Sequence, residues 1–344
     1  MTNLCIVVPV FNDWKSLEVL LGNLNEVAKK LPIPLFVTVV NDGSTEPSDS
    51  MSDVWPTLSA LLGVEVVDLA VNVGHQRAIA IGICIAVEEH DADAVLVMDG
   101  DGEDPPEQIP VLLESTAGRQ DFCVVAQRRK RTERWTFKLS YIVYKSVFAL
   151  LTGRRISFGN FSLFSRNCAR RLVLVPDLWN NLAAAVLRSR LPIQSVPVDR
   201  GHRYAGTSKM NYVSLVVHGL SGISVYADAI FVRLLLFTIF LVCVTIITIA
   251  SGLVLRIFFP AYATPGWATT LSMGMIILLL QAFFTTLSSI LMLLNSRVQR
   301  LIMPRTDYGI YVEQRILRVG RSLQSDRKTS QAAYDRPELH VPSR

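Results

Sequence analysis

Five carboxylates fall within nine residues at Asp99, Asp101, Glu103, Asp104 and Glu107, directly after the apolar run Ala94–Met98. Carboxylates crowded in this way repel one another unless a cation joins them, and hard oxygen donors suit Mg²⁺ or Mn²⁺. The chemistry this points to is a divalent ion shared with the phosphates of a substrate. Three more polar clusters also follow short apolar runs: Pro9-Val10-Phe11-Asn12-Asp13, Asn41-Asp42-Gly43-Ser44 and Asn72-Val73-Gly74-His75. Each alone has an ordinary reading as a turn or helix cap, because Asp, Asn, Gly and Ser dominate such positions. Their recurrence after four successive apolar runs argues for one shared site.

The elements that must position these clusters are legible. Leu4–Val10, Leu35–Val40, Val64–Leu69, Ala94–Met98 and Phe122–Ala126 read as strands, and Ser16–Lys30, Gln76–Glu89 and Pro106–Ser115 as helices between them. Continuous apolar strands alternating with helices predict an α/β domain whose mostly parallel sheet is covered on both faces. Ligands bind such sheets at the carboxyl ends of the strands, where the four polar clusters lie.

Half of the 344 residues are hydrophobic and only 18% are charged, below the roughly 25% of an ordinary soluble domain. The deficit is local. Leu234–Leu255 is a run of 22 residues without a charge, and Ile257–Ser296 another of 40, including the strongly apolar Leu271–Leu294. Two transmembrane helices of about 20 residues each fit there, joined by a loop from Phe259 to Thr270. Arg233 precedes the hairpin and Arg297, Arg300 and Arg305 follow it, while the loop holds no Lys or Arg. The positive-inside rule then predicts an integral membrane protein with its catalytic domain and both termini cytoplasmic. No apolar leader is read at the start of the chain. Five scattered cysteines without a CxxC pattern fit a reducing compartment and no zinc site.

The net charge of +5 is a cancellation: residues 1–127 hold 5 Lys/Arg against 20 Asp/Glu, residues 128–296 hold 19 against 4, and residues 297–344 hold 10 against 5. The basic run Arg128–Arg131, with Arg134 and a helix-like Trp135–Leu151, suits a lipid headgroup surface. A nucleic-acid partner fits poorly beside so acidic a domain. Arg315, Arg318 and Arg321 lie at helical spacing in Tyr308–Leu323, and Gln324–Arg344 reads as disordered.

PVFND, VNDGS, NVGHQRAIAIG and MDGDGEDPPE resemble the successive motifs of family 2 glycosyltransferases with a GT-A fold. Within that family they are similar to polyprenyl-phosphate glycosyltransferases, including dolichyl-phosphate mannose synthases and the bacterial GtrB-like and ArnC-like types. Arg203-Tyr204-Ala205-Gly206-Thr207-Ser208-Lys209 is similar to the family's R..G.SK signature. The resemblance spans roughly residues 4–296. It implies a GT-A, Rossmann-like domain followed by a two-helix hairpin, and inverting transfer of a sugar from a nucleoside-diphosphate sugar to a polyprenyl phosphate. By position it implies Pro9, Phe11, Asp13, Asp42, Asn72 and Gly100 as donor-binding residues and Asp99 and Asp101 as the catalytic DxD pair. Asp101 with Glu103 would bind Mg²⁺ or Mn²⁺, and Arg128, Arg203, Ser208 and Lys209 would meet donor or acceptor phosphates. It also implies a homo-oligomer, possibly a tetramer.

Three departures stand out. Glu103 replaces the usual Gln after the DxD, Asp13 replaces the commoner Glu, and Gly159-Asn160-Phe161-Ser162-Leu163 lacks the Asp and Arg of a DFRL-like segment. That last segment is therefore left outside the expected catalytic set, and His75 and His202 are read as supporting neighbours. The expected organisation is a nucleotide-sugar part at 1–127, an acceptor and membrane-interface part at 128–228, two transmembrane helices at 229–296 and a basic cytoplasmic tail at 297–344. Three other readings are weaker. A processive polysaccharide synthase has more spans and a QxxRW motif, and Arg131–Trp135 lacks the Gln. A catalytically silent scaffold does not need the intact Asp99 and Asp101. A small channel or transporter component leaves the polar motifs without a role.

Overall fold

The computed structural model describes residues 3–90, 92–128, 146, 148–154, 158–205, 219–259, 266–298 and 302–320. The chain divides into two compact units. The first takes in residues 1–130, 158–208 and 303–344, and the second residues 131–157 and 209–302.

The first unit opens with β1 (Leu4–Val10), α1 (Trp14–Ala28), β2 (Leu35–Asn41), β3 (Gly63–Leu69), α2 (His75–Glu88) and β4 (Ala94–Val97). It continues through α3 (Ile109–Glu114), β5 (Cys123–Arg128), β6 (Ser162–Ser165), α4 (Arg166–Leu172), α5 (Leu182–Arg188) and β7 (Ile193–Val198). The five strands and three helices read from residues 4–126 are all present, while most of the helix-like Trp135–Leu151 lies outside the described residues. The one internal change is that the third helix begins as a 3₁₀ turn at Pro106–Gln108.

Among the described residues the sheet has eight strands in the order β7-β5-β6-β4-β1-β2-β3-β8, where β8 is Val312–Gly320. β1 pairs in parallel with β2 and β4, β2 with β3, and β5 with β7, whereas β6 and β8 run antiparallel to their neighbours. Alternation along β1 sends Leu4, Ile6, Val8 and Val10 to one buried cluster and Cys5 and Val7 to the other. On the first face, Leu17, Leu20, Leu21 and Leu24 of α1 are wholly buried at helical spacing. Each such side chain stabilises the fold by roughly 1.5–3 kcal/mol. On the second face, α2 lies so close that a Cβ at Gly82 would sit 2.3 Å from a methyl of Val7. Cys5, Cys84, Cys123 and Cys168 are buried and unpaired with one another, and burial pushes the Cys5 thiol up to about 12.

The segment carrying Arg315 and Arg318, expected as a helix, is a strand. β8 pairs antiparallel with β3 through Glu65–Leu317, Val66–Ile316 and Val67–Arg315. Arg315 meets Glu65 and Glu89, while Arg318 lies over Trp55, 5.9 Å from its ring centre. A spacing of three puts the two arginines on one side of a helix but on opposite sides of a strand, and the partners lie on opposite sides. Arg321 and the segment Gln324–Arg344 lie outside the described residues.

The second unit holds α6 (Ala227–Phe258) and α7 (Trp267–Val298), which contain both expected spans. α7 starts inside the stretch read as a loop. Both helices are long and apolar enough to cross a membrane. They pack against each other, and Thr238 and Thr286 share a buried hydroxyl contact of 2.7 Å between them. Their remaining surfaces expose Leu, Ile, Phe and Met side chains, as lipid-facing helices do.

Candidate active site

The strand order reverses at β1. The chain steps outward through β2 and β3 and then returns to the other side of β1 as β4. In open α/β sheets the crevice beyond the carboxyl ends at such a switch point is where ligands bind. Pro9 to Asp13 leave β1 there, and Asp99 to Asp101 leave β4.

Asp13, Asp101 and Arg203 come together at this place. The Arg203 guanidinium reaches Asp13 Oδ2 and Asp101 Oδ2, each at 3.5 Å, and donates from Nε to the Ala205 carbonyl. Asp101 Oδ1 accepts the Glu103 backbone N–H at 3.0 Å. Burial, and the nearby charges of Asp99 and Glu103, hold the Asp101 carboxyl above the usual range against the pull of that N–H and of Arg203. Segment 200–204 clasps this acidic loop. Gly201 N–H donates to the Glu103 carbonyl and Tyr204 N–H to that of Asp101, and the Arg200 guanidinium is ion-paired with Glu103. The approach requires glycine at 102: with φ +90° already, a Cβ there would lie 2.7 Å from the His202 carbonyl oxygen and 2.8 Å from the Tyr204 ring.

Asp99 lies in a second network. β4 and β6 pair antiparallel as far as Val97–Ser162. The same register carried two residues further sets Asn160 opposite Asp99. Asn160 Nδ2 is 3.1 Å from Asp99 Oδ1 and 3.0 Å from His75 Nε2, and His75 Nε2 is itself 3.1 Å from Asp99 Oδ1. Desolvation lowers the His75 pKa, but Asp99, with Asp42 and Asp101 behind it, outweighs that and holds the imidazole above its ordinary value. Asp104, almost wholly buried, accepts the Asp99 backbone N–H at 3.1 Å and so fixes the turn out of β4.

The other expected donor residues frame the cleft. Phe11 is 42% exposed at the end of β1. Asn12 adopts φ 50°, which Asn tolerates better than most residues, and its side-chain oxygen accepts the N–H groups of Thr45 and Glu46. Asp42 is buried, and its two carboxylate oxygens accept the N–H groups of Val73 and Gly74 at 2.7 and 3.0 Å. Burial raises its pKa, opposed by those N–H groups and by His75. Asn72 donates to the Asp42 carbonyl at 2.9 Å. Both residues therefore hold the loop that leads into α2. Pro9 lies in β1 opposite Val40, and Gly100 rests near its carbonyl. Arg128 ends β5 opposite Val198. Ser208 and Lys209 lie outside the described residues, as does most of the basic segment after Arg128.

Among the described residues no group of three or more His, Cys, Asp or Glu is arranged to hold a metal ion. Glu103, expected beside Asp101 as a ligand, has Arg200 as its partner. Asp101 retains the chemistry of a ligand, with Oδ2 held only loosely by Arg203. Asn160, Gln76 and Arg200 were missed as site residues by sequence reasoning. Asn160 lies in the segment that lacks the family's Asp and Arg, Gln76 lies inside NVGHQRAIAIG without an assigned role, and Arg200 precedes the segment that begins at Arg203.

Residues 5–173 match the family described as Glycosyl transferase family 2. An uncharacterised glycosyltransferase of Synechocystis is 27% identical over 64% of this chain and 68% of its own length. An undecaprenyl-phosphate 4-deoxy-4-formamido-L-arabinose transferase of Proteus mirabilis is 26% identical over 61% of this chain and 64% of its own, just under two thirds of that relative. A bactoprenol glucosyl transferase of Shigella phage SfV is 27% identical over 64% and 71%. Among solved structures, mannosyl-3-phosphoglycerate synthase of Rubrobacter xylanophilus aligns with a TM-score of 0.48 at 15% identity, covering 66% of this chain and 73% of that one.

Proposed function

We propose that this chain transfers a sugar from a nucleoside-diphosphate sugar to a polyprenyl phosphate, with inversion at the anomeric carbon, at the cytoplasmic face of a membrane. The observation that carries the reading is the meeting of Asp13, Asp101 and Arg203 at the sheet's switch point, in a chain that also bears two membrane-length apolar helices. The relatives named for undecaprenyl phosphate and bactoprenol support the acceptor class. The helices would keep the chain where such lipids reside.

Phe11 offers an exposed aromatic face to the base, and Asp13 an acceptor to the ribose, with Pro9, Asp42, Asn72 and Gly100 shaping the donor pocket. Arg203 stands beside both acidic residues and turns to the diphosphate when the donor arrives. Arg128, Ser208 and Lys209 are assigned to donor or lipid phosphates. The acceptor phosphate has a second pKa of about 6, so it is already a nucleophile at neutral pH and no strong base is needed. Its oxygen bonds to the anomeric carbon as the bond from that carbon to the diphosphate oxygen breaks, and the nucleoside diphosphate leaves with the electron pair. Asp99 contacts the sugar.

The residues fit a divalent cation of the kind held by one or two carboxylates and completed by substrate phosphates and water. Asp101 would hold it, with Glu103 if Arg200 gives way. Mg²⁺ or Mn²⁺ bound there would supply Lewis-acid stabilisation of the leaving diphosphate. The second expected partner is another copy of this chain in a homo-oligomer. The test is transfer by the purified full chain from a panel of labelled nucleotide sugars to polyprenyl phosphate, with and without Mg²⁺ or Mn²⁺. Metal-dependent labelling of the lipid is the expected result; folded protein that labels no lipid from any donor overturns the proposal.

A further inference from the structure

The carboxamides around Asp99 have a fixed orientation that begins at a backbone group. The N–H of Leu182, first residue of α5, donates to Gln76 Oε1 at 2.7 Å. A backbone amide can only donate, so the Gln76 oxygen must face it. The Gln76 amino group then faces Asn160 Oδ1 at 3.1 Å. That places the Asn160 amino group on the side of Asp99 and His75, where it is 3.1 Å from Asp99 Oδ1. Gln76 is buried along α2, so the orientation is enforced by packing as well as by hydrogen bonds.

We propose that Asn160 is a positioning residue for sugar transfer, holding Asp99 through this two-amide relay anchored on the Leu182 N–H. The proposal rests on the glycosyl-transfer reading for its effect on turnover, while the relay itself does not. A donor to an ionised carboxylate belongs to the stronger class of hydrogen bond, and its direction locks the Asp99 side chain where β4 ends. A carboxylate at 160 would meet Asp99 Oδ1 acceptor to acceptor and add a negative charge beside it. Glutamate at 76 could still accept from Leu182 but could not donate to Asn160, leaving the Asn160 amide free to turn its oxygen to Asp99. Gln76 thus acts on Asp99 without touching it.

The experiment uses the full chain in detergent as wild type, Asn160→Asp, Asn160→Ala, Gln76→Glu and Gln76→Glu/Asn160→Ala, measuring kcat, donor KM and the thermal-unfolding midpoint. Asn160→Asp and Asn160→Ala should each lower kcat by roughly ten- to a hundredfold, with donor KM within about threefold. Gln76→Glu should lower kcat comparably and add little on top of Asn160→Ala, in kcat and in midpoint alike. Wild-type kcat in Asn160→Asp, or losses from Gln76→Glu and Asn160→Ala that multiply, overturns the proposal. So does a lowered midpoint with the kcat of the folded fraction intact, which is the signature of a merely structural role. A wild-type protein that transfers no sugar refutes the glycosyl-transfer reading instead. The midpoint cycle then still decides the relay, with coupled shifts supporting it and additive ones overturning it.

Discussion

Arg315→Met probes how the strand beyond the apolar hairpin is held in the sheet. Arg315 reaches from β8 to grip Glu65 of β3 with two donors, Nε to Oε1 and Nη2 to Oε2, each at 3.0 Å, and also pairs with Glu89. His90 Nε2 lies 2.9 Å from the same Glu65, whose side chain is only 10% exposed. Deleting one partner of a buried pair costs about 3–5 kcal/mol. Glu65 keeps His90 and the Arg315 side chain is 22% exposed, so the lower end, about 3 kcal/mol, applies. For a folded unit of this size each kcal/mol moves the midpoint by roughly 2–4 °C, giving a fall of roughly 6–12 °C. Burial pushes the Glu65 carboxyl up, but hydrogen bonds and charge from His90 and Arg315 hold it below its ordinary value of 4.5. A carboxyl depressed in the folded state contributes stability above its unfolded pKa and loses it as pH falls through the folded one. The gap between wild type and Arg315→Met is therefore full at neutral pH and closes below about pH 4.5. Thermal unfolding across pH, with hydrogen exchange at the β8 amides, measures both. Glu65→Gln/Arg315→Met should be less destabilised than Arg315→Met alone, because no unpaired charge is left buried. A midpoint within about 2 °C of wild type at neutral pH, or a gap that persists unchanged to about pH 3.5, refutes the reasoning.

Asp101→Asn should lower metal-dependent turnover by more than about a hundredfold while leaving the midpoint equal or higher, because it removes a carboxylate that burial and neighbouring charge disfavour. Retained turnover would remove Asp101 from the chemistry. Gly102→Ala forces a Cβ against His202 and Tyr204 at a positive φ; it should destabilise the fold by about 1–3 kcal/mol and slow turnover by displacing Arg203. Unchanged rate and midpoint would mean that segment 200–204 need not clasp the acidic loop. Arg203→Met should raise donor KM by about tenfold or more, the scale of one lost charge-assisted contact; an unaltered KM in steady-state assays would end its role at the diphosphate.

The central strands and the loops they end in were legible because β1 to β4 are buried on both faces and therefore carry mostly apolar runs, interrupted only by Thr38 in β2 and Glu65 and Asp68 in β3 before the polar residues where the strands end. β6 was not, since only Leu163 and Phe164 stand between Ser162 and Ser165, too short an apolar run to mark a strand. β7 carries the adjacent polar pair Gln194 and Ser195 and includes Pro197, so it shows neither an apolar run nor a clean alternation. β8 was misread because its arginines recur at a spacing that helices also use, and only the partners on each side distinguish the two. At the site, Asp13, Asp99, Asp101 and Arg203 were named from motif residues, and the structure brings Arg203 to both Asp13 and Asp101 across 190 and 102 positions of sequence. Asn160 was passed over because its importance is a matter of register: it stands opposite Asp99 only once β6 lies antiparallel to β4.

The sequence by itself determined the α/β class, the two apolar helices and the acidic loop, because each rests on local composition and periodicity that a short window of residues can express. The tertiary structure alone decided which cation faces which carboxylate, Arg203 with Asp13 and Asp101, Arg200 with Glu103 and Arg315 with Glu65. It alone decided that the chain returns after the hairpin to complete the sheet as β8. Pairing of charges and strands depends on distances set by packing between remote segments, and no local pattern encodes those distances.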